Sequence, residues 1–296
     1  MLLSPYEQRR GRVKDRAGER APPTVTPQRP YLVVFRAGPH SLHPRIVAED
    51  PSRNWDCVVN WWGVEPDHAS ADVVLPGGIN KPDGFYHLAT QDLIAWRSYD
   101  YIMLLDDDVY FSPGDISRLF TIAHQQPTYL AQPALRWGTY ASHAVTLWNP
   151  LCKLRATSFV EVMAPVFSRA ALEYLLATLT LTKSTWGIDW AWSSLLAGQQ
   201  RIHVIDAVRV DHTKPVNLKA GPLYQMSRAL GTDAGLEFEA IKRRFPIFGG
   251  IGTHRDGHTF RAYIPRWAGF WLLRLIDKAI HYAHAHGWSS ALPRRP

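Results

Sequence analysis

Three consecutive aspartates, Asp106, Asp107 and Asp108, end the short apolar run at residues 102–105. Runs of this kind form central parallel strands, and open α/β sheets take their ligands beyond the carboxyl ends of their strands. Like charges this close repel, so the cluster is tolerated either in water or around a cation. Carboxylate oxygens favour Mg²⁺ or Mn²⁺, with substrate phosphate completing the shell. Alternate side chains of an extended segment point to opposite faces, which sets Asp106 and Asp108 apart from Asp107. The plainer alternative is a solvated acidic turn before a helix, with Ser112 as N-cap, Pro113 in the first helical position and Asp115 in a capping-box place.

Four further residues have chemistry-bearing side chains at strand ends or helix starts. His212 closes an apolar run between Asp211 and Thr213; it is a structural histidine unless other ligands converge on it, and the acidic cluster offers that convergence. Glu161 interrupts an apolar stretch, where a buried carboxylate must be paired or functional. Asp189, in Trp186-Gly-Ile-Asp189, falls in a first helical turn, where the helix dipole alone would favour it. Arg36, at the end of the first strand, is placed to meet a phosphate or to form a surface ion pair.

The elements that must position these residues alternate. Strands are expected at Tyr31–Phe35, Trp55–Asn60, Asp72–Leu75 and 99–105, with helices at about Asp83–Trp96 and 113–124. Such alternation implies a parallel sheet with right-handed crossovers. Beyond Pro127, Tyr129–Pro133 reads as a strand whose proline makes it an edge or a bend. Phe159–Phe167 reads as another strand. A helix capped by Ser168 runs through Leu181, and a second runs from about Thr185 to Gly198. A final strand spans Ile202–Val210 and leads to His212. Pro265 to about His286 reads as one amphipathic helix stopped by Gly287. The expected organisation is a basic, proline-rich tail over 1–29, one α/β domain over 30–225, and an extension over 226–296.

The chain has 296 residues, 46% hydrophobic and 20% charged, with a formal net charge of +7. That is a globular composition whose basic balance suits phosphorylated substrates or anionic surfaces. No basic stripe, zinc-finger spacing or RNA-binding aromatic motif argues for nucleic acid. Most of the twelve tryptophans and twelve tyrosines are expected in the core. Two cysteines, Cys57 and Cys152, suggest free thiols in a reducing compartment. The opening Met-Leu-Leu turns polar at once, so no signal peptide is expected, and no run is long enough to span a bilayer. A cytoplasmic location follows, peripheral on a membrane if the last helix is interfacial rather than packed on the domain.

A strand-end Asp-x-Asp, a helix-start Trp-Gly-Ile-Asp and a later strand ending in histidine resemble the GT-A class of nucleotide-sugar glycosyltransferases. The segments Ala131-Gln-Pro-Ala134, Phe159-Val-Glu-Val-Met-Ala-Pro-Val-Phe-Ser-Arg169, Trp186-Gly-Ile-Asp189 and Val210-Asp-His-Thr213 resemble an uncharacterised family shared by plants and bacteria within that superfamily. Arg36-Ala-Gly-Pro-His-Ser-Leu-His43 resembles its bacterial members. The resemblance covers roughly residues 31–215. It implies an α/β, GT-A-like single domain, a Rossmann-like parallel sheet with helices on both faces continuing into a mixed acceptor-side sheet. It also implies a nucleotide-sugar donor, a glycan or lipid-linked acceptor, and a Mn²⁺ or Mg²⁺ cofactor. Carried over by motif, Asp106 would face the ribose or the metal, with Arg36 and Asp107 also on the cofactor side. Asp108 and His212 would bind the metal. Asp189 matches the general base of inverting members, and Glu161 would line the acceptor pocket. Two other readings stay open: a haloacid-dehalogenase-like phosphatase with Asp106 as nucleophile and Asp108 as acid, and a non-catalytic sugar- or nucleotide-binding module.

Overall fold

Period-two alternation in the apolar runs decides the architecture, because the central strands are buried on both faces. In β1 (Tyr31–Ala37) the side chains of Tyr31, Val33 and Phe35 enter one core and those of Leu32 and Val34 the other. β4 (Tyr101–Asp106) divides in the same way, Met103 and Leu105 against Ile102 and Leu104. The computed structural model describes residues 25–63, 68, 71–199, 201–214, 225, 228–248, 250–254, 257–261, 264 and 266–287.

β1, β2 (Trp55–Trp61), β3 (Val73–Pro76) and β4 form a parallel unit in the order β4-β1-β2-β3. α1 (His43–Ala48) and α3 (Asp115–Gln125) cover one face, and α2 (Lys81–Thr90) covers the other. The short β5 (Val109–Tyr110) leaves this unit to pair with β9 (Ile202–His212). The sheet continues through β8 (Val166–Ser168), β6 (Leu130–Leu135), β9, β7 (Cys152–Ala156) and β10 (Thr259–Phe260), so its full order is β10-β7-β9-β6-β8-β4-β1-β2-β3. β8 runs antiparallel to both β4 and β6, which makes this half mixed. α4 (Arg169–Leu175) and α5 (Ile188–Leu195) join α2 on its face. α6 (Ala234–Arg244) packs on α5, and α7 (Arg266–Ala285) packs on the α1 and α3 side through Ile276 and Ile280.

Several sequence expectations shift. Pro133 lies in a central strand, not an edge: β6 runs parallel to β9, and the register jumps from Pro133↔Ile205 to Ala134↔Arg209. That irregularity accommodates the missing N–H. Of Phe159–Phe167 only the end is strand. Residues 157–165 form a bridge and turn, so Glu161 sits in a loop. The helix after the aspartates is capped by Gly114 at φ 73°, not by Ser112, whose carbonyl accepts from Asp115 N–H. The helix read over Asp83–Trp96 starts earlier, at Lys81, and ends at Thr90. The helix from Ser168 shortens to α4 plus a 3₁₀ turn at Leu176–Thr180, though Ser168 does cap it. The helix from Thr185 begins at Ile188. Residues 25–29, read as tail, are fastened: Val25 bridges Ile94, and the backbone N–H groups of Gln28 and Arg29 donate to Asp56. Residues 1–24 lie outside the described residues.

One buried ion pair joins the C-terminal extension to the sheet. Arg155 and Asp206 are 1% and 0% exposed, with Nε–Oδ2 at 2.7 Å and Nη2–Oδ1 at 3.1 Å. Asp206 also accepts from Asn149 N–H at 2.8 Å, and Asn149 Nδ2 donates to Asp277 of α7 at 3.0 Å. Removing one partner of such a pair strands a buried charge, which costs about 3–5 kcal/mol. Arg155→Leu should therefore lower unfolding stability by about that amount in a denaturant titration. A change within error of zero would show that Asp206 needs no partner.

Candidate active site at the carboxyl ends of β4 and β9

Strand register brings together residues that lie a hundred positions apart. The β5–β9 ladder pairs Val109 with His212, which sets Asp108 beside the imidazole. Thr213 clamps the approach, its backbone N–H and its Oγ1 both donating to the Asp108 carbonyl, at 2.9 and 2.7 Å. His212 Nε2 lies 3.7 Å from Asp108 Oδ1. The other ring nitrogen, Nδ1, is 3.2 Å from the Tyr140 carbonyl. A carbonyl can only accept, so Nδ1 carries a proton, and Nε2 is the ring atom turned toward Asp108. Metal-binding histidines are oriented in this way. Thr139 fixes the backbone, since its Oγ1 donates to the His212 carbonyl at 2.8 Å and accepts from the His212 N–H at 2.6 Å. Burial and the nearby Asp106 push the Asp108 carboxyl above its usual range, and His212 opposes them.

Asp106 has a different partner, which the sequence reading missed. Lys81 is 6% exposed, and its Nζ lies 2.8 Å from Asp106 Oδ1 and 2.7 Å from the Met163 carbonyl. The signal was present as Asn80-Lys-Pro-Asp83. Asn80 is the N-cap and accepts from Asp83 N–H at 2.8 Å, with Pro82 in the first turn. Burial lowers the Lys81 pKa, against the pull of Asp106, Asp108 and Asp107.

Asp107 turns the other way, in the turn that follows β4. Its Oδ2 accepts from Gly38 N–H at 3.2 Å, and burial pushes its pKa to about 6. Arg36 does not present a free fork to this side. Its guanidinium donates to Asn60 Oδ1 and to the carbonyls of Gly77 and Gly78, at 2.6 and 2.9 Å for the carbonyls, and burial lowers its pKa to about 10. Gly84 of α2 lets the helix approach this brace, since a Cβ there would come within 2.1 Å of Asn60 Oδ1.

Asp189 and Glu161 lie within electrostatic reach of each other and of Lys81. Gly187, at φ 84°, starts α5 with Asp189 in its first turn. The Asp189 carboxylate accepts from Trp190 N–H at 2.8 Å and Val162 N–H at 3.3 Å, yet burial outweighs these bonds and pushes its pKa to about 6. Glu161 is 9% exposed, and its N–H donates to Gln132 Oε1 at 2.6 Å. Its Oε2 has no hydrogen-bond partner among the described residues. Burial, then Asp189, push its pKa to about 8. Glu161 is pushed further up than Asp189 and so keeps its proton to higher pH.

The donor set suits a divalent cation. Asp108 and His212 offer one hard oxygen and one committed imidazole nitrogen, leaving positions for phosphate and water. Among the described residues no three His, Cys, Asp or Glu side chains converge as a closed protein-only site. Asp106, expected as a further ligand, is the one ion-paired to Lys81.

Neither a protein-family model nor a curated protein sequence matches this chain, so no sequence comparison supports the closer plant and bacterial resemblance. Solved structures do match. GalNAc-T7, in a crystal structure with UDP, GalNAc and Mn²⁺, aligns over 72% of this chain and 47% of its own, with a TM-score of 0.51 and 11% identity. TarS of S. aureus aligns over 73% of this chain and 42% of its own (TM-score 0.44, 11% identity). A mycobacterial protein aligns over 70% and 76% (TM-score 0.40, 12% identity). The chain thus spans about half the length of the GalNAc-T7 chain it matches. The fold is GT-A-like, a mixed sheet with helices on both faces whose parallel half ends at the aspartate cluster.

Proposed function

We propose that this chain is a metal-dependent glycosyltransferase that moves a sugar from a nucleoside-diphosphate donor to a glycan or lipid-linked acceptor, with inversion. The observation that carries the reading is the facing pair of Asp108 and His212 Nε2 at the carboxyl ends of β4 and β9 in a GT-A-like sheet. GalNAc-T7, which shares the fold, was solved with UDP and Mn²⁺.

The difficult charge in this reaction develops on the departing nucleoside diphosphate while the sugar carbon becomes oxocarbenium-like. A divalent cation between Asp108 and His212 would supply Lewis-acid neutralisation of that leaving group. Asp189 takes the proton of the attacking acceptor hydroxyl; its raised pKa makes it a better base than an ordinary carboxylate while leaving it ionised at neutral pH. Glu161 donates a hydrogen bond as a neutral acid and keeps a second negative charge away from Asp189. Lys81 holds Asp106 in place and supplies positive charge at the floor of the site. The GT-A-like fold favours the transferase over a phosphatase.

In calorimetry across a panel of nucleoside diphosphates, the best ligand should bind at least about tenfold more tightly with Mn²⁺ than with EDTA, a difference of about 1.4 kcal/mol. Asp108→Ala should erase the metal effect and Asp107→Asn should retain most of it; equal affinity with and without metal would remove the reading. For turnover of the nucleotide sugar, Asp189→Asn should reduce kcat by ~10²–10⁴-fold with nucleotide affinity unchanged. The wild-type pH profile should rise through about 6, as Asp189 loses its proton, and fall through about 8, as Glu161 does. Glu161→Gln should remove the falling limb. Near-native turnover in Asp189→Asn would reduce that residue to a helix-start acid and make Glu161 the next candidate base; no turnover of any nucleotide sugar by the wild-type chain would leave a binding module as the better description.

A further inference from the structure

Among the described residues no helix is long and apolar enough to cross a membrane, and α7 is bonded to the domain at two points. Near its middle, Asp277 accepts from Asn149 Nδ2 at 3.0 Å. In its last turn, His284 Nε2 lies 3.1 Å from the Ala141 carbonyl. A carbonyl can only accept, so Nε2 is the donor. Helical residues seven positions apart share a face, about 10 Å from one another. One face of α7 therefore grips both ends of the run from Ala141 to Asn149. Between those ends, Ala144 of the 3₁₀ turn Ala144–Thr146 and Leu147 share a core with Ile276 and Ile280.

The two bonds serve different neighbours. Asn149 also donates its N–H to Asp206, so the Asp277 bond belongs to the buried Arg155–Asp206 network. The His284 bond lands among the supports of two site residues. Thr139 Oγ1 bonds the His212 backbone, and the Tyr140 carbonyl accepts from His212 Nδ1. The Tyr140 ring stands edge-on to the imidazole, with centroids 6.5 Å apart. Ser142 makes a side-chain hydrogen bond to Glu161 that opposes the rise in its pKa. The His143 ring lies 4.6 Å, centroid to centroid, from Phe159, two residues before Glu161. Burial first, and then His284, lower the His143 pKa to about 4, which puts His284 beside His143 as well as Ala141.

The peptide group is planar, so the chain turns only at its Cα atoms. The carbonyl that accepts from His212 and the carbonyl that accepts from His284 belong to successive peptide planes, hinged at the Cα of Ala141. A rotation there that frees one carbonyl also turns the other. We propose that His284 is a positioning residue for the metal site. From the last turn of α7 it fixes the Ala141 carbonyl, and through the Thr139–His143 run it holds His212 and Glu161 in their working orientation. The role rests on Asp108 and His212 acting as the metal pair. The C-terminal helix is then coupled to the cation, and the coupling is reciprocal: bound cation must strengthen the docking of α7.

Calorimetry on the full-length chain tests it, with Mn²⁺ and the tightest-binding of UDP, GDP, ADP and CDP. His284→Ala should raise the Mn²⁺ concentration for half-maximal nucleotide binding about fivefold, the effect of one lost hydrogen bond, and leave the affinity in EDTA unchanged. His284→Gln should restore most of the loss, because its amide nitrogen can donate to the same carbonyl. Ile280→Ala thins the same interface. It should lower the midpoint of thermal unfolding at least as far as His284→Ala does, yet move the Mn²⁺ requirement less. In hydrogen exchange of the wild-type chain, Mn²⁺ with the nucleotide should slow the amides of the last turns of α7, and the nucleotide in EDTA should not. A wild-type Mn²⁺ requirement that His284→Ala leaves within about twofold overturns the role of His284 and spares the transferase reading. An equal rise in Ile280→Ala also overturns it, since packing alone would then be responsible. A wild-type chain indifferent to Mn²⁺ overturns both together.

Discussion

A single buried ammonium sits among five carboxylates, and the arrangement of the site follows from keeping that charge balanced. Lys81 is the electrostatic neighbour of Asp106, Asp107, Asp108, Glu161 and Asp189. One positive charge cannot offset five negative ones in a desolvated space, so each acid is quieted by its own means. Asp106 takes the ion pair, Asp107 the nearby charge of Lys214 and a backbone N–H, and Asp108 the neighbouring His212 and Lys214. Asp189 sits on N–H groups of a helix start and a turn, and Glu161 keeps its proton. The negative charge left near Asp108 is what a divalent cation with a nucleoside diphosphate would complete.

The rest of the chain holds these groups in register. β5 carries the end of the cluster across to β9, and without that two-residue ladder Asp108 and His212 would lie on separate strands with no reason to meet. α6 stands behind α5: Glu237 accepts from the N–H groups of Lys183 and Ser184, and Ile241 packs so closely on Gly187 that a Cβ there would lie 3.0 Å away. The extension after the sheet therefore supports the turn that presents Asp189. The irregularity opposite Pro133 places Asp206 where Arg155 can reach it, and through Asn149 the same network fixes α7.

The parallel half of the fold was legible because its strands are apolar runs with a period of two, and nothing competes with that reading. Strand ends could then be located to a residue or two, which is why Asp106, Asp108 and His212 were found together. Where the signal failed, a second physical term had intervened. Residues 159–165 look like strand from their apolar content, but Glu161 and Pro165 need a turn that aims the carboxyl inward. Ser112 looked like a cap, but a left-handed Gly114 sits nearer the first helical turn. Lys81 carries no local signal of burial, since only the tertiary position of α2 buries it. β7, Cys-Lys-Leu-Arg-Ala, is too short and too charged to stand out, and Arg155 within it is buried only because Asp206 lies opposite.

The account depends most on a cation held by Asp108 and His212 together with the nucleotide. Crystals grown with Mn²⁺ and the tightest-binding nucleoside diphosphate, measured at the manganese absorption edge, test this directly. The expected result is one anomalous peak in contact with a carboxylate oxygen of Asp108, Nε2 of His212 and the diphosphate. A nucleotide seated at the ends of β1 and β4 with no peak there, or a peak that avoids both side chains, would contradict it.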